Sequence, residues 1–286
     1  AGEDELRARA VVAADGVNSF ISRGAGIRAK EPMANLAVGV KSVIGLDEET
    51  IRGRFNLTGD EGAAYAVVGD CTEGVAGGGF MYTNRESVSI GIVARLDDLA
   101  KKGKSSSDLH DHFLSHPAIA PFLEGGELLE YGCHLVAEGG EKMQHDLVRD
   151  GLVVIGDAAG FTLNTGFTVR GMDLAAGSAL AAAKAVGRAL EAGDCGRTSL
   201  ERYIEEYKST FVGKDMSTFA KAPAFLENEE MYGQLGELLA DVLHGVYNLD
   251  LTPRRHILPT AYGAFRASGL KIRRLARIGY QAVRAL

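Results

Sequence analysis

The sequence predicts an α/β fold with an α+β block in its middle, and three stretches carry that expectation. Gly151–Gly171 reads GLVVIGDAAGFTLNTGFTVRG: an apolar run, Leu152 to Ile155, stops at Gly156-Asp157 and a glycine-rich loop follows. This is the pattern of strand, tight turn, loop and helix start, with Gly156 at the turn where a Cβ would clash. Thr168 to Leu190 is dense in Ala and Gly and free of proline, which suits a helix packed closely on a sheet. Between Ala34 and about Leu135, several short segments alternate with period two, as strands covered on one face do.

Taken in order, Arg7 to Ala14 reads as a strand centred on Val11 and Val12. It ends at Asp15-Gly16, and a short helix begins near Asn18 and stops near Gly24, so ADGVNS forms a second strand–turn–helix corner. The opening residues, Ala1 to Glu5, read as a charged hairpin turn in the middle of a domain, so an N-terminal portion is expected to precede them. Leu36, Val38, Val40 and Ser42 begin an alternating strand, and Asp47–Phe55 is a short charged helix or turn. Strands are expected near Ala63–Val68, Gly77–Thr83 and Ser87–Ala94, the last two joined at Asn84-Arg85. Ser107–Ser115 reads as a serine-capped helix closed by Pro117, and Leu128–Val136 as another strand. Gly193 ends the Ala-rich helix. Ser199–Phe211 is amphipathic, and helix continues to Leu249 with breaks near Pro223 and Gly233. The implied division is 1–26 with 147–193, then 27–146, then a helical region over 194–286.

Composition narrows the function classes. The chain has 286 residues and a net charge of −7, with charge unevenly placed. Leu251 to Leu286 holds eight Lys or Arg and no Asp or Glu, leaving 23 basic against 38 acidic residues before it. A basic tail on an acidic body suits an anionic surface or acidic partner. Cys71, Cys133 and Cys195 are widely spaced and form no CxxC, so neither zinc nor an iron–sulfur cluster is supported. No apolar run approaches the ~20 residues of a membrane-spanning helix. No signal peptide is visible, and a cytoplasmic location is expected. His110, His112 and His116 put two histidines one helical turn apart but offer no third ligand, so no metal is expected. Arg254, Arg255 and His256 lack the aromatic interleaving of a nucleic-acid surface, so no nucleic acid is expected either.

GLVVIGDAAGFTLNTGFTVRGMDLAAGSALAAA resembles the second FAD fingerprint of group A flavoprotein oxidoreductases, and VVAADGVNS resembles their DG motif. That superfamily includes hydroxylases, geranylgeranyl reductases and electron-transfer-flavoprotein–quinone oxidoreductases. The phrase Asn164 to Ala183, with no proline in its loop, looks most like the FixC branch of quinone oxidoreductases. The resemblance implies FAD as cofactor. Asp157, after Gly156, matches the acid that binds ribityl or ribose hydroxyls. Gly166, Phe167 and Thr168 match the loop whose backbone faces the flavin pyrimidine edge. Arg170 and Gly171 match the residues entering the helix, and Asp15 and Gly16 the corner near the pyrophosphate. The helix N-terminus there would stabilise negative charge on a reduced isoalloxazine. No catalytic side chain is implied, because the flavin carries the redox chemistry.

The resemblance also implies a reduced electron-transfer flavoprotein as electron donor, a quinone as acceptor and a separate ferredoxin-like protein holding clusters. The basic tail, with Leu270, Ile272, Leu275, Ile278 and Val283 among its charges, adds peripheral contact with an anionic membrane face. One departure stands out: no GxGxxG corner precedes a helix, and GGGF at Gly77–Phe80 does not replace it. The 286 residues alone are therefore expected to bind FAD weakly or not at all and to be inactive. Two alternatives remain: a geranylgeranyl-reductase-like enzyme acting on isoprenoid double bonds, and a non-catalytic remnant that only binds partners.

Overall fold

The computed structural model describes residues 6–166 and 168–286. The turn expected at Ala1–Glu5 and the loop residue Phe167 lie outside the described residues. The fold is mixed α/β, as the sequence predicts, and the chain separates into two compact units. One joins the chain up to Ala37 with Leu135–Pro223; the other joins Val38–His134 with Ala224–Leu286. These cuts differ from the composition-based division, because the helices after Gly193 divide between two cores.

In chain order, β1 (Val11–Ala13) is followed by the short helix α1 (Phe20–Gly24). The ten-residue β2 (Leu36–Gly45) leads to α2 (Glu48–Phe55), whose first turn is capped by Asp47 accepting the Thr50 amide at 2.8 Å. Then come β3 (Ala64–Val67), β4 (Gly77–Thr83) and β5 (Ser87–Arg95). Next are α3 (Leu96–Lys102), α4 (Ser106–Ser115), the single turn α5 (Ala120–Leu123) and β6 (Glu127–Ala137). Two pairs of brief strands follow: β7 (Val148–Arg149) with β8 (Leu152–Val154), and β9 (Leu163–Asn164) with β10 (Val169–Arg170). The remainder is helical: α6 (Met172–Ala192), α7 (Arg197–Leu200), α8 (Arg202–Ser209), α9 (Phe211–Thr218), α10 (Ala222–Leu226), α11 (Gln234–Tyr247), α12 (Ile257–Ala267) and α13 (Ile272–Ala285).

The first unit is built on a three-stranded sheet in the order β1-β8-β7. β1 and β8 run parallel with Ala13 opposite Val154, so both strands end at the same edge. Helix α6 covers this sheet. Its small residues let α8 and α9 come close; a Cβ on Gly177 would lie 2.5 Å from Val212 Cγ2. Leu174, Ala181, Ala185, Leu200, Tyr203 and Val212 share one core with Val153 and Val154. That shared core is why the segment after Gly193 belongs here. Gly193 closes α6 in the left-handed region, at φ 72°.

Three expectations are corrected in this unit. The first strand is only Val11–Ala13, shorter than Arg7–Ala14. The Ala-rich helix starts at Met172 and not at Thr168, because Val169 and Arg170 pair antiparallel with Asn164 and Leu163. The amphipathic Ser199–Phe211 stretch is two helices, α7 and α8, and Phe211 opens α9.

The second unit carries a five-stranded sheet in the order β3-β4-β5-β2-β6. β4 is antiparallel to both β3 and β5, and Met81 faces Ile90 across the ladder. The alternating residues Val88, Ile90, Ile92 and Ala94 enter a core with Val40, Leu109 and Phe113. The inner residue Gly79 is required there, since a Cβ would sit 2.7 Å from the Phe113 ring. Helix α3 was not legible as a separate element. In α13, Leu275, Ile278, Ala282 and Ala285 follow a three-four spacing and turn inward to buried or half-buried positions. Ile278 and Ala285 close on Phe225 in a small separate cluster.

Candidate functional site

The site grows from the two parallel strand ends of the first unit. β8 stops at Val154, and Ile155 extends the pairing by donating its amide to the Ala13 carbonyl at 3.0 Å. The chain then turns sharply. Gly156 takes φ 59°, and Gly156–Ala159 forms one turn of 3-10 helix closed by Gly160 at φ 78°. A Cβ on Gly160 would lie 2.7 Å from Met143 Cβ, so this glycine is needed for space as well as for conformation. Within Gly156–Gly160 the only residue that is not fully buried is Asp157.

Several backbone groups of the turn are held by hydrogen bonds. Gly160 and Phe161 donate to the carbonyls of Asp157 and Gly156 at 3.0 and 3.1 Å. The Gly156 amide donates to Ser178 Oγ at 3.1 Å, and Ser178 donates in turn to the Ala175 carbonyl at 2.8 Å. The Ala158 carbonyl accepts from Arg28 Nη1 at 2.5 Å and from Ser19 Oγ at 3.3 Å. Buried backbone groups need such partners.

The neighbouring corner, Asp15-Gly16, follows β1. Gly16 is at φ 72°, and Asp15 Oδ2 accepts the Ile21 amide at 2.8 Å, capping α1. Asp15 Oδ1 is buried without a hydrogen-bond partner among the described residues. The structure thus brings Asp15 and Gly16 to the same sheet edge as Gly156 and Asp157, linked through Ser19. Ligands of open α/β sheets bind at such carboxyl ends.

Gly171 joins this group from the start of α6. A Cβ there would lie 3.7 Å from Asp157 Oδ1 and 3.9 Å from Thr162 Cγ2. Thr162 is 7% exposed, and its hydroxyl has no hydrogen-bond partner among the described residues. The residue in the capping position, Gly171, has no side chain to offer. A carboxylate, an unengaged hydroxyl and the first amides of a 21-residue helix therefore converge. Together they can accept from ligand hydroxyls and donate to an electron-rich carbonyl.

The other expected positions lie apart from this cluster in their chemistry. Gly166 and Thr168 are exposed in the β9–β10 hairpin, where Asn164 Oδ1 accepts the Gly166 amide at 2.8 Å. Arg170 is engaged within the chain: its guanidinium bonds Asp173 at 2.6 Å and Asp215 at 2.6 Å. These bonds, Asp215's first, raise the Arg170 pKa above its ordinary value. Partial burial pushes the Asp173 carboxyl up, but Arg170 more than offsets it and the net shift is downward. Three residues were missed: Thr162, Ser178 and Arg28. Ser178 lies seven residues after Gly171 on the Ala-rich face, a two-turn spacing that sequence reasoning could have used. Arg28 carried no signal.

The three histidines diverge. His110 is buried with Nε2 3.3 Å from Ser42 Oγ, His112 Nε2 lies 2.8 Å from Asp70, and His116 Nδ1 accepts the Ala118 amide. No metal-binding cluster forms among the described residues.

No protein-family model matches the chain. Individual proteins do. The probable electron transfer flavoprotein-quinone oxidoreductase YdiS of Escherichia coli (strain K12) is 45% identical over 270 residues, 94% of this chain and 63% of that protein. FixC of Escherichia coli O157:H7 is 41% identical over 247 residues, 86% of this chain and 58% of that protein. Over the matched span the chain is similar to FixC and to YdiS. It covers less than two thirds of the length of either relative. A solved geranylgeranyl bacteriochlorophyll reductase-like protein from Thermoplasma acidophilum superposes on this chain with a TM-score of 0.62. The identity is 20%, over 95% of this chain and 62% of that one, so the likeness speaks for the fold.

Proposed function

We propose that this protein belongs to the FixC family and is an FAD-dependent oxidoreductase that passes electrons from a reduced electron-transfer flavoprotein to a quinone. The observation that carries the reading is the convergence of Asp157, the Thr162 hydroxyl, unpartnered among the described residues, and the glycine-led start of α6 beside the Asp15-Gly16 corner. Those groups fit a flavin dinucleotide: a carboxylate for polyol hydroxyls, and donors for an electron-rich pyrimidine edge. Gly156 and Asp157 would hold the ribityl or ribose hydroxyls, and Asp15 and Gly16 would sit by the pyrophosphate. Gly166, Phe167, Thr168, Arg170 and Gly171 would border the pyrimidine side. This FAD-binding part would comprise 1–26 and 147–193, with 27–146 facing the quinone and 194–286 helical. When bound, FAD supplies the redox chemistry; the residues of this chain bind it, orient it and set its electrostatics.

The donor and acceptor follow the name of the relative YdiS, a probable electron transfer flavoprotein-quinone oxidoreductase. A ferredoxin-like partner accords with the absence of clustered cysteines. Peripheral attachment to the cytoplasmic face of a membrane is supported by the basic tail; among the described residues no helix is long and apolar enough to cross a bilayer. The geranylgeranyl-reductase-like alternative rests on fold alone. The test is titration of the full-length protein with FAD, followed by anaerobic mixing with reduced electron-transfer flavoprotein and a short-chain quinone. Stoichiometric FAD lost in Asp157→Ala, with quinone-dependent reoxidation, is expected. A full-length protein that takes up no flavin would sink the reading.

A further inference from the structure

The Ala158 carbonyl lies one residue beyond Asp157, and the side chains that receive it come from the segment after β1. Arg28 is 6% exposed, and its Nη1 donates to that carbonyl at 2.5 Å. Its other face is held by Glu31, with Nε donating to Oε1 at 3.0 Å and Nη2 also 3.0 Å away. Glu31 is equally buried, and its carboxylate is held further by Asn35 Nδ2 at 2.9 Å and by His145 Nε2 at 2.6 Å. Burial pushes the Glu31 carboxyl up, but Asn35, His145 and Arg28 more than offset this, and it stays ionised below the ordinary range. Arg28 is therefore a fixed, paired charge with one fork aimed at the turn.

We propose that Arg28 is a positioning residue for the Gly156–Gly160 turn, setting the Ala158–Ala159 peptide plane and thereby the direction of the neighbouring Asp157 carboxylate. The proposal rests on the reading of that turn as part of the FAD site. Without the guanidinium, Ala158 keeps only the longer bond from Ser19, and a buried carbonyl with a weakened partner lets the peptide tip. Lysine cannot replace the fork, because its single ammonium cannot hold Glu31 and Ala158 in the same planar geometry.

The test uses full-length protein and two readouts besides activity: FAD affinity by fluorescence titration, and the visible circular dichroism of the bound flavin. Leu200→Ala, in the same core but away from the turn, serves as the control for lost stability. Arg28→Met is expected to bind FAD about tenfold more weakly than this control, with an altered flavin band. Arg28→Lys should fall between Arg28→Met and wild type. If Arg28→Met does not fold, Ser19→Ala takes its place, with a smaller weakening and a changed band expected. Affinity and band equal to the control's, or to wild type's for Ser19→Ala, overturn the proposal when Asp157→Ala still loses FAD. If Asp157→Ala keeps wild-type affinity, the cofactor reading and this proposal fall together.

Discussion

Ser178 Oγ accepts the Gly156 amide at 3.1 Å, so the second turn of α6 holds the first residue of the Asp157 turn. Ser178 is fully buried, and no water can replace it without repacking the helix. Ser178→Ala leaves the buried Gly156 donor unpaired, which costs about 1–3 kcal/mol. Urea unfolding of wild type and variant checks this, and a loss near zero would mean that the bond contributes nothing net.

Arg170 is the site residue whose role the structure most changes. Its bonds to Asp173 and Asp215 join the start of α6 to α9, and its guanidinium also lies 5.9 Å from the Phe211 ring centre. Arg170 and Asp215 remain roughly a third exposed and Asp173 nearly half, so the coupling is modest. A double-mutant cycle of Arg170→Met with Asp215→Asn should give a coupling of about 1 kcal/mol, shrinking in high salt. A coupling that ignores salt would argue against an ionic tie.

These two residues show what the sequence could and could not disclose. The strand–turn–helix order at Gly151–Gly171 was legible because glycine and the apolar run leave few backbone choices there. The alternating strands of the second unit were legible for the same reason: Val88, Ile90, Ile92 and Ala94 enter its core. The start of α6 was not, because the two-residue ladder of Leu163–Asn164 with Val169–Arg170 is a pairing across a loop, which periodicity does not register. Arg28 was invisible for a related reason. Its partners are a carbonyl 130 residues away and a local glutamate, and an Arg-x-x-Glu spacing usually means a solvated surface pair.

His110 gives the second unit a defined response to acid. The ring is 1% exposed beside Ser42 and the Tyr131 ring, and Asp111 Oδ1 is 3.6 Å from Nδ1. Burial lowers its pKa below the ordinary 6.5, and Asp111 only partly opposes this. Because the unfolded chain then binds the proton more readily, the contribution of His110 is fully present above 6.5 and is lost as pH falls through the folded value. Urea midpoints measured from pH 7.5 to 5 should therefore drop more steeply for wild type than for His110→Gln. Parallel curves would show that His110 does not govern the slope.

The basic tail divides once its structure is considered. Leu270 and Ile278 are buried and Leu275 is half-buried, so these apolar residues serve the fold rather than a bilayer. Ile272 and Val283 remain 72% and 84% exposed on α13, and Arg273 and Arg277 are exposed on the same helix. Arg274 is bound by Glu230, so its charge is already compensated. The proposed membrane attachment, if made through α13, would then depend on Arg273 and Arg277 more than on Arg274. Each basic residue near an anionic surface contributes about 1 kcal/mol, so Arg273→Gln with Arg277→Gln should weaken binding to phosphatidylglycerol vesicles by roughly tenfold or more. Arg274→Gln should weaken it less. Co-flotation with vesicles measures both, and equal losses from the two variants, or none from either, would remove α13 as the attachment helix.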